Sequence, residues 1–397
     1  MNAKVAGKGR RVLRETGICA WCLGRQYTSS PEAIESTGKR TAEKLGLRLS
    51  RNCELCGNAF ENRIDIVDRV LRELHGFEFG TFQVGVTLSD DSIEKEDEMR
   101  SRLKLSSGIS LKKGLTTMFR LELAKRLHKK PALRSPDMTI RIGLPEQTIQ
   151  LESKPVTVYV EYLKLARGIS TRAISCPDCR GEGCKACGGM GIEKGDESVE
   201  AELTRALLTA FMGRKVRVSW SGIEDESSLL VGSGRPTYVE VVAPAKRISG
   251  LMNLDMAPTR GVQLTRAEIE PLDREKIENL VKEVSVTVDF ESELMAADVE
   301  LLQQAYKDRD LLFLGDRKGR RRKVYTLEAA VSGRKAEMRF VLDNGVSLRE
   351  LLALKADSQR DQDRIQPSFA DLLPGKRVLA IESCVLGFHK AATEEKH

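Results

Sequence analysis

Eight of the nine cysteines in this chain fall in Cys-x-x-Cys pairs, a pattern that constrains the fold more than any other feature of the sequence. Two thiolates two residues apart can occupy one edge of a tetrahedral Zn²⁺ site, because the turn between them directs both sulfur atoms at the metal. Two such pairs complete the tetrahedron. The pairs make up a first quartet, Cys19, Cys22, Cys53 and Cys56, and a second quartet, Cys176, Cys179, Cys184 and Cys187.

Each quartet also has an alternative interpretation. The two pairs of the first quartet are 30 residues apart, a gap that a helix between them would account for, and a redox or incidental origin is the alternative. In the second quartet, Cys179-x4-Cys184-x2-Cys187 matches an iron–sulfur spacing whose fourth cysteine lies far downstream, where this chain has only Cys384. Zinc is favoured for both. Neither quartet contains a histidine or carboxylate that would leave an open position, so one or two structural zinc ions are expected.

The bulk composition favours a protein that associates with a polyanion. A chain of 397 residues is longer than one compact hydrophobic core usually supports, so two or three domains are expected. The net charge of +7 favours partners such as nucleic acid, while an aromatic content of 5% disfavours extensive base stacking. The basic N-terminus lacks the apolar core of a signal peptide, and no stretch approaches the roughly 20 apolar residues of a membrane span. With metal-binding cysteines, these features predict a soluble cytoplasmic protein without membrane contact.

Hydrophobic periodicity divides the chain into four segments of an α+β protein. Residues 1–60 contain the first quartet. Residues 61–170 mix helical patterns such as "IDIVDRVLRELHGF" with strand patterns such as "TFQVGVTLS" and "PVTVYVEYL". Residues 171–196 contain the second quartet and form a boundary. Residues 197–397 begin with a helical pattern and continue as strands, some joined by short turns, which predicts antiparallel pairs.

A dense basic run, "DRKGRRRK", lies between two apolar segments, as a projecting loop would. Guanidinium groups bind phosphate through two parallel hydrogen bonds, so such a loop suits an RNA backbone. A solvated surface without a partner is the alternative interpretation. The basic residues of the run are Arg317, Lys318, Arg320, Arg321, Arg322 and Lys323.

An acidic stretch, "SGIEDESSLLVGSGRPTYVE", joins the strand patterns "KVRVSW" and "TYVEVV". Taken alone it is a surface connection with a Gly-Ser-Gly-Arg-Pro turn, since such residues commonly fill exposed turns. Asp225 is then an ordinary turn residue, and the alternative is a catalytic carboxylate. Arg235 either braces the turn or contacts phosphate.

Several stretches, in a fixed order, resemble the archaeal-type tRNA pseudouridine synthases of the Pus-ten class. They are the N-terminal cysteine pairs, "GTFQVGVTL", "EYLKLARGIST", the second quartet followed by "ESVE", "GIEDESSLLVGSGRP" and "RIQPSFADLL". The resemblance implies an N-terminal zinc-knuckle and THUMP-like RNA-binding module. A pseudouridine-synthase-type catalytic domain on a mixed, mainly antiparallel sheet would follow it. It also implies tRNA as partner, isomerisation of uridine 54 and/or 55 in the TΨC arm, and no catalytic cofactor. We expect a monomer.

The same resemblance assigns roles to single residues. Family members carry Gly-Arg-Glu-Asp followed by Gly-x-Gly-Arg-Pro, and the matching residues here are 222–225 and 232–236. Asp225 therefore takes the position of the catalytic carboxylate. Arg349 falls where the family has a basic residue expected to pair with that acid and keep it ionised. Arg235 and the basic run are expected to bind RNA.

Departures from the family pattern leave two alternatives open. Ile223 replaces the family arginine, Ser347 replaces a tyrosine, and the strand "EVSVTVDF" lacks the tyrosine that usually begins it. The main alternative is therefore a catalytically impaired tRNA-binding or chaperone protein on the same scaffold. Another THUMP-bearing RNA modifier would need a glycine-rich cofactor loop between a strand and a helix, whereas "VGSGRP" is followed by strand residues.

Overall fold

The computed structural model describes residues 17–105, 108–313, 322–353 and 365–390. The chain divides into two compact units, one ending at Lys154 and one beginning at Pro155. Within the described ranges, no helix combines the length and the apolar character that crossing a bilayer requires.

The first unit packs helices against a four-stranded sheet. Its elements are α1 (Ala20–Gly24), α2 (Ile34–Leu45), α3 (Arg63–Glu73), β1 (Thr81–Leu88), α4 (Asp90–Leu103), α5 (Leu111–Leu127), β2 (Lys130–Pro131), β3 (Met138–Leu144) and β4 (Thr148–Ser153). The strand order is β2–β1–β3–β4. β1 and β3 are parallel, which requires a long crossover, and α4 and α5 supply it. β3 and β4 form an antiparallel hairpin.

The first quartet of cysteines belongs to the same hydrophobic core as this sheet. Cys22 and Phe60 are fully buried in one cluster with Phe82 of β1. Trp21 stacks on Phe60 with ring centroids 5.4 Å apart. The segment predicted as a separate module, residues 1–60, is in its described part continuous with the fold that follows it. A segment this short buries too little apolar surface to form a core by itself.

In its described residues, the second unit is built on a sheet of ten strands. Its elements are β5 (Val156–Lys164), α6 (Val199–Phe211), β6 (Lys215–Ser219), β7 (Leu229–Val242), α7 (Ile248–Met252), β8 (Val262–Ile269), β9 (Leu280–Phe290), α8 (Ala296–Tyr306), β10 (Arg309–Phe313), β11 (Arg322–Ser332), β12 (Lys335–Asp343), α9 (Leu348–Leu351), β13 (Ile365–Gln366), α10 (Phe369–Leu372) and β14 (Val378–Lys390). The strand order is β13–β10–β11–β12–β9–β14–β7–β5–β8, with β6 paired to β7. β14 and β7 are parallel, and the other described pairs are antiparallel. The predicted mixed, mainly antiparallel sheet is confirmed.

The strand β5 differs from its predicted place. It pairs with β7 on one edge and β8 on the other, so it lies inside the second sheet. The sequence placed it in a segment ending at residue 170, whereas the division between the compact units falls after Lys154. Alternation predicts a strand but not which strands pair with it, and this is the reason for the difference.

The Gly-Ser-Gly-Arg-Pro segment forms part of a strand, not the predicted turn. It lies within β7. Gly232 has a φ of +74°, and a Cβ there would lie 2.0 Å from the carbonyl oxygen of Leu386 in β14. The close approach of the neighbouring strand therefore requires glycine. The connection between β6 and β7 shortens to residues 220–228, which include the predicted catalytic acid.

Candidate active site and metal centres

Residues 220–228, the acid loop, lie against residues 344–347, the support loop that follows β12. The Ile223 N–H donates to the carbonyl oxygen of Asn344 at 3.0 Å. Gly222 has a φ of +64° and packs so closely that a Cβ would lie 2.5 Å from the same oxygen. Backbone contacts therefore fix the two loops to each other, and a glycine is required two positions before the acidic pair.

Asp225 is half-buried where the acid loop meets the support loop. Its Oδ1 accepts a hydrogen bond from Ser347 Oγ at 3.3 Å, and its Oδ2 accepts one from the Leu348 N–H at 3.4 Å. Both distances are at the long end of the hydrogen-bond range, so the contacts are weak. An ionised carboxylate has about four acceptor sites, which leaves capacity for a ligand. The carboxylate is thus oriented by the start of α9 and still accessible.

Glu224, the neighbour of Asp225, points into the protein and joins a buried network. Its Oε2 accepts from Tyr162 OH at 2.6 Å and from Arg235 Nη1 at 2.7 Å. Lys164 Nζ lies 2.9 Å from Oε1, in an ion pair whose alignment falls short of a hydrogen bond. Burial alone would raise the pKa of Glu224, but the charges of Arg235 and Lys164 outweigh burial and lower that pKa.

Lys164 also holds the backbone of the acid loop. Its Nζ donates to the carbonyl oxygens of Asp225 at 2.9 Å, Glu226 at 3.3 Å and Ile169 at 3.4 Å. The three protons of an ammonium group therefore have three backbone acceptors in a fully buried setting. One lysine fixes the backbone around Asp225 while it neutralises the acid that precedes it.

A second buried lysine, Lys282 of β9, lies near the same acids. Its side chain is only 2% exposed, and its Nζ donates to the carbonyl oxygen of Val346 in the support loop at 2.7 Å. Burial lowers the pKa of Lys282 to about 8, because the favourable charges of Asp225 and Glu224 only partly offset burial and the nearby Arg235. Lys282 is therefore close enough to Asp225 for their charges to interact.

Two predicted site residues have surroundings that differ from the prediction. Arg349 is exposed and forms no ion pair with Asp225 within the parts of the chain that the structure describes. Arg235 is buried, with Nε 3.0 Å from the carbonyl oxygen of Ser221 and Nη1 on Glu224. Arg235 therefore braces the acid loop and has no access to an RNA phosphate in this conformation. The buried carboxylate of Glu224 requires the positive charge of Arg235 inside the protein. This is why Arg235 is buried and not exposed to RNA.

The basic run is described only at its C-terminal end. The guanidinium of Arg322 lies against the support loop, where a Cβ on Gly345 would be 2.4 Å from Arg322 Nε. Lys323 Nζ lies 3.4 Å from Asp308 Oδ1 and 5.3 Å from the ring centroid of Tyr325. The described end of the run is therefore adjacent to the loop that holds Asp225. The predicted RNA-binding residues outside the described ranges are Arg317, Lys318, Arg320 and Arg321.

Sequence patterns missed Lys164 and Lys282, although each leaves a signal. Along β5, Lys164 follows the inward-facing phase of Val160 and Tyr162. Along β9, Lys282 shares the inward-facing phase of Val284. A lysine in the core-facing phase of a strand is rare unless a partner compensates its charge. The alternation of apolar and polar residues along these strands therefore contained the information needed to identify both lysines as buried.

The sulfur atoms of each quartet converge on one point. In both quartets the four Sγ atoms lie within 4.8 Å of one another. Cys19 and Cys56 have sulfurs 3.9 Å apart, and Cys184 and Cys187 have sulfurs 3.8 Å apart. A zinc–sulfur bond of about 2.3 Å in a tetrahedron places the sulfurs about 3.8 Å apart, whereas a disulfide bond is about 2.05 Å long. Both quartets therefore fit a zinc ion.

Backbone amides also point at the sulfurs of the second quartet. The Gly183 N–H donates to Cys179 Sγ at 3.2 Å, and the Gly191 N–H donates to Cys187 Sγ at 3.2 Å. The amides of Cys184 and Gly191 lower the pKa of the Cys187 thiol to about 6, which favours the thiolate that binds metal. Gly183 has a φ of +87°, so glycine at this position serves the turn geometry around the sulfurs.

Comparisons with known proteins confirm the resemblance. Residues 66–143 match a family model described as the archaeal Pus10 THUMP domain. A protein named tRNA pseudouridine synthase Pus10 from Nitrosopumilus maritimus is 29% identical over 62% of this chain and 64% of its own length, so the match spans just under two thirds of that relative. A protein of the same name from Archaeoglobus fulgidus is 28% identical over 81% of this chain and 91% of its own length. A solved H/ACA RNP bound to a substrate RNA has 13% identity over 46% of this chain and 42% of that chain, with a TM-score of 0.24, which is too low to carry an argument.

Proposed function

We propose that the chain is a member of the archaeal-type Pus10 family and a tRNA pseudouridine synthase with Asp225 as the catalytic carboxylate. The proposed substrate is a uridine of the TΨC arm, at position 54 or 55. The observation that carries the proposal is the setting of Asp225. Its carboxylate is half-buried, receives two weak hydrogen bonds, and is attached to a backbone that a buried lysine holds.

Pseudouridine formation is an isomerisation of one nucleotide. The N1–C1′ bond of uridine breaks, the uracil turns, and a C5–C1′ bond forms. The hydrogen on C5 leaves as a proton and N1 gains one, so the atoms balance and no net oxidation occurs. A carboxylate can add to an electrophilic carbon or take a ribose proton, and both roles require an ionised group and an extruded base.

The surroundings of Asp225 suit an ionised carboxylate next to an extruded base. Hydrogen bonds from Ser347 and from the Leu348 N–H orient the carboxylate. Ile223, whose side chain is 46% exposed, offers an apolar surface two residues away. A uracil ring can pack against such a surface where other family members have an arginine.

We include tRNA as the partner, since Arg322 at the described end of the basic run lies against the support loop, and the sequence of the run carries the positive charge that an RNA backbone requires. We assign RNA binding to the first unit, which contains the matched THUMP segment, and isomerisation to the second unit. Zinc is the proposed metal of both quartets, and four thiolate ligands would leave it no open position for substrate. Thiolate ligands favour a reducing compartment, so we propose the cytoplasm.

The test compares the wild type with Asp225→Asn and with a control, Glu226→Gln. Glu226 is exposed and adjacent in the chain, and no described residue contacts its side chain through a polar group. Each protein is incubated with tRNA transcripts, and pseudouridine is mapped by carbodiimide-dependent primer stops. We expect stops in the TΨC arm from the wild type and the control, and none from Asp225→Asn.

Two other outcomes have clear meanings. Stops of equal strength from Asp225→Asn would show that Asp225 is not the catalytic acid. No stops from any variant, with tRNA binding intact, would favour a tRNA-binding protein without catalysis.

A further inference from the structure

We infer that Lys282 supplies the positive charge that acts on the Asp225 carboxylate from the protein interior, the role that the family resemblance gives to Arg349. The inference rests on the proposed function of Asp225 and adds a positioning residue to that site. Lys282 acts through Asp225 and is not expected to contact the substrate, since it is 2% exposed.

The position of Lys282 is fixed by the sheet. It lies in β9 opposite Leu342 of β12 and Phe388 of β14, so apolar strand residues flank it on both edges. Its Nζ reaches the support loop and donates to the Val346 carbonyl oxygen at 2.7 Å. The next residue of that loop, Ser347, donates its hydroxyl to Asp225 Oδ1 at 3.3 Å. Consecutive residues of one loop therefore hold the ammonium and the carboxylate.

Among the described residues, the charge of Lys282 has no contact ion pair. In the described portion of the chain no carboxylate lies within ion-pair distance of its Nζ, whereas Lys164 has Glu224 at 2.9 Å. The charged groups that act on it are Asp225 and Glu224, which favour the ammonium form, and Arg235, which opposes it. Since Arg235 and Lys164 already neutralise Glu224, Asp225 is the acid left for Lys282 to stabilise.

Arg349 is poorly suited to the same role. It is exposed, and the attraction between exposed charges is weakened by water and salt. Lys282 acts through the protein interior, where the attraction between two charges is several times stronger than in water. Arg349 therefore occupies the position that matches the family motif, whereas Lys282 has the electrostatic effect on Asp225.

The sign of the pH dependence distinguishes this role from general-base catalysis by a neutral lysine. The charged form of Lys282 prevails below its pKa of about 8. If the ammonium charge holds the Asp225 carboxylate and the support loop in place, catalysis falls as the pH rises through about 8, because the neutral amine lacks the charge that attracts the carboxylate. If the neutral amine took the proton from C5 of the uracil, catalysis would rise over the same range.

The experiment measures single-turnover pseudouridine formation with enzyme in excess over tRNA transcript. The variants are Lys282→Met, Arg349→Ala and a lysine control, Lys276→Met. Lys276 pairs with Glu270 at 2.7 Å on a half-exposed part of the same unit. We expect Lys282→Met to be slower by about 10²-fold, the size typical for loss of one group that stabilises a reacting charge. Arg349→Ala and Lys276→Met should remain within about threefold of the wild type at saturating enzyme. tRNA affinity should be unchanged in Lys282→Met.

Three results would overturn the inference. They are catalysis by Lys282→Met within about threefold of the wild type, a loss in Arg349→Ala as large as that in Lys282→Met, and wild-type catalysis that rises through pH 8. If Lys282→Met fails to fold, the wild-type pH profile decides. Failure of the proposed function is distinguishable, because the wild type itself would then form no pseudouridine. An active wild type with an inactive Asp225→Asn and an active Lys282→Met would refute the inference alone.

Discussion

Replacement of Glu224 by glutamine should destabilise the second unit strongly without removing any volume. The change keeps the shape of the side chain and removes its charge. Arg235 and Lys164 would then be two buried cations without a countercharge, since their side chains are at most 2% exposed. The hydroxyl of Tyr162 would keep an acceptor in the glutamine amide oxygen, so loss of charge is the main effect.

The magnitude follows from the burial of this network. Removal of one partner from a buried ion pair costs about 3–5 kcal/mol, because the remaining charge is left desolvated and unpaired. For a unit of this size, about 2–4 °C of melting temperature corresponds to 1 kcal/mol, so the expected decrease is about 6–20 °C. A surface pair provides the control. Glu240→Gln removes the partner of Arg217, whose 2.7 Å pair is exposed, and should cost less than about 1 kcal/mol.

The assay is urea unfolding followed by tryptophan fluorescence. The chain has two tryptophans, so a Trp21→Phe background leaves Trp220 of the second unit as the only reporter. The effect should also depend on pH. Because the folded state lowers the pKa of Glu224 below its ordinary value of 4.5, the wild type has this stability above about pH 4.5 and loses it as the pH falls further. The difference between wild type and Glu224→Gln should therefore shrink in acid.

Two outcomes would refute the reasoning about this network. One is a cost for Glu224→Gln no larger than that for Glu240→Gln. The other is a difference that is independent of pH down to full acid unfolding.

The remaining predictions concern the metal sites and the backbone of β7. Metal analysis by mass spectrometry should find two zinc ions per chain in the wild type, one in Cys22→Ala and two in the control Cys384→Ala, since Cys384 lies outside both quartets. An unchanged zinc content in Cys22→Ala would contradict the assignment of the first quartet. Gly232→Ala should lower the free energy of unfolding by about 3 kcal/mol, because its Cβ would meet the Leu386 carbonyl oxygen at 2.0 Å in addition to the strain of a positive φ. The control Gly333→Ala has a similar φ of +64° and open space around it, so it should cost about 1 kcal/mol in the same urea titration. Equal costs for the two would mean that β14 yields to the added methyl group.

The features that sequence could predict are those with a local cause. A Cys-x-x-Cys pair carries its own turn geometry, so the two quartets were identified without knowledge of the fold. The alternation of apolar residues depends only on the strand itself, and it predicted β5 and β9. The position of Asp225 in the chain came from the order of motifs, and its catalytic role stays a prediction until it is tested.

The features that sequence missed depend on pairings between distant segments. Lys282 approaches Asp225 through the support loop, and no spacing in the sequence links these positions. Gly232 looked like a turn residue because the strand that requires it, β14, lies about 150 residues later in the chain. Arg235 resembled a phosphate ligand because the sequence indicates an exposed turn around Glu224 and gives no sign that Glu224 is its buried partner. In each case the strand pairing of the second unit decides the role.

The role of the Asp225 carboxylate is tested most directly by tritium release from tRNA labelled at C5 of uridine. C5 loses its hydrogen when it bonds to C1′, so release into water counts reaction events. With enzyme in excess, we expect the wild type to release the tritium of the modified uridine in one fast phase. Asp225→Asn should release it at least about 10³-fold more slowly, with unchanged tRNA affinity. Release by Asp225→Asn at the wild-type rate would contradict the catalytic role of Asp225.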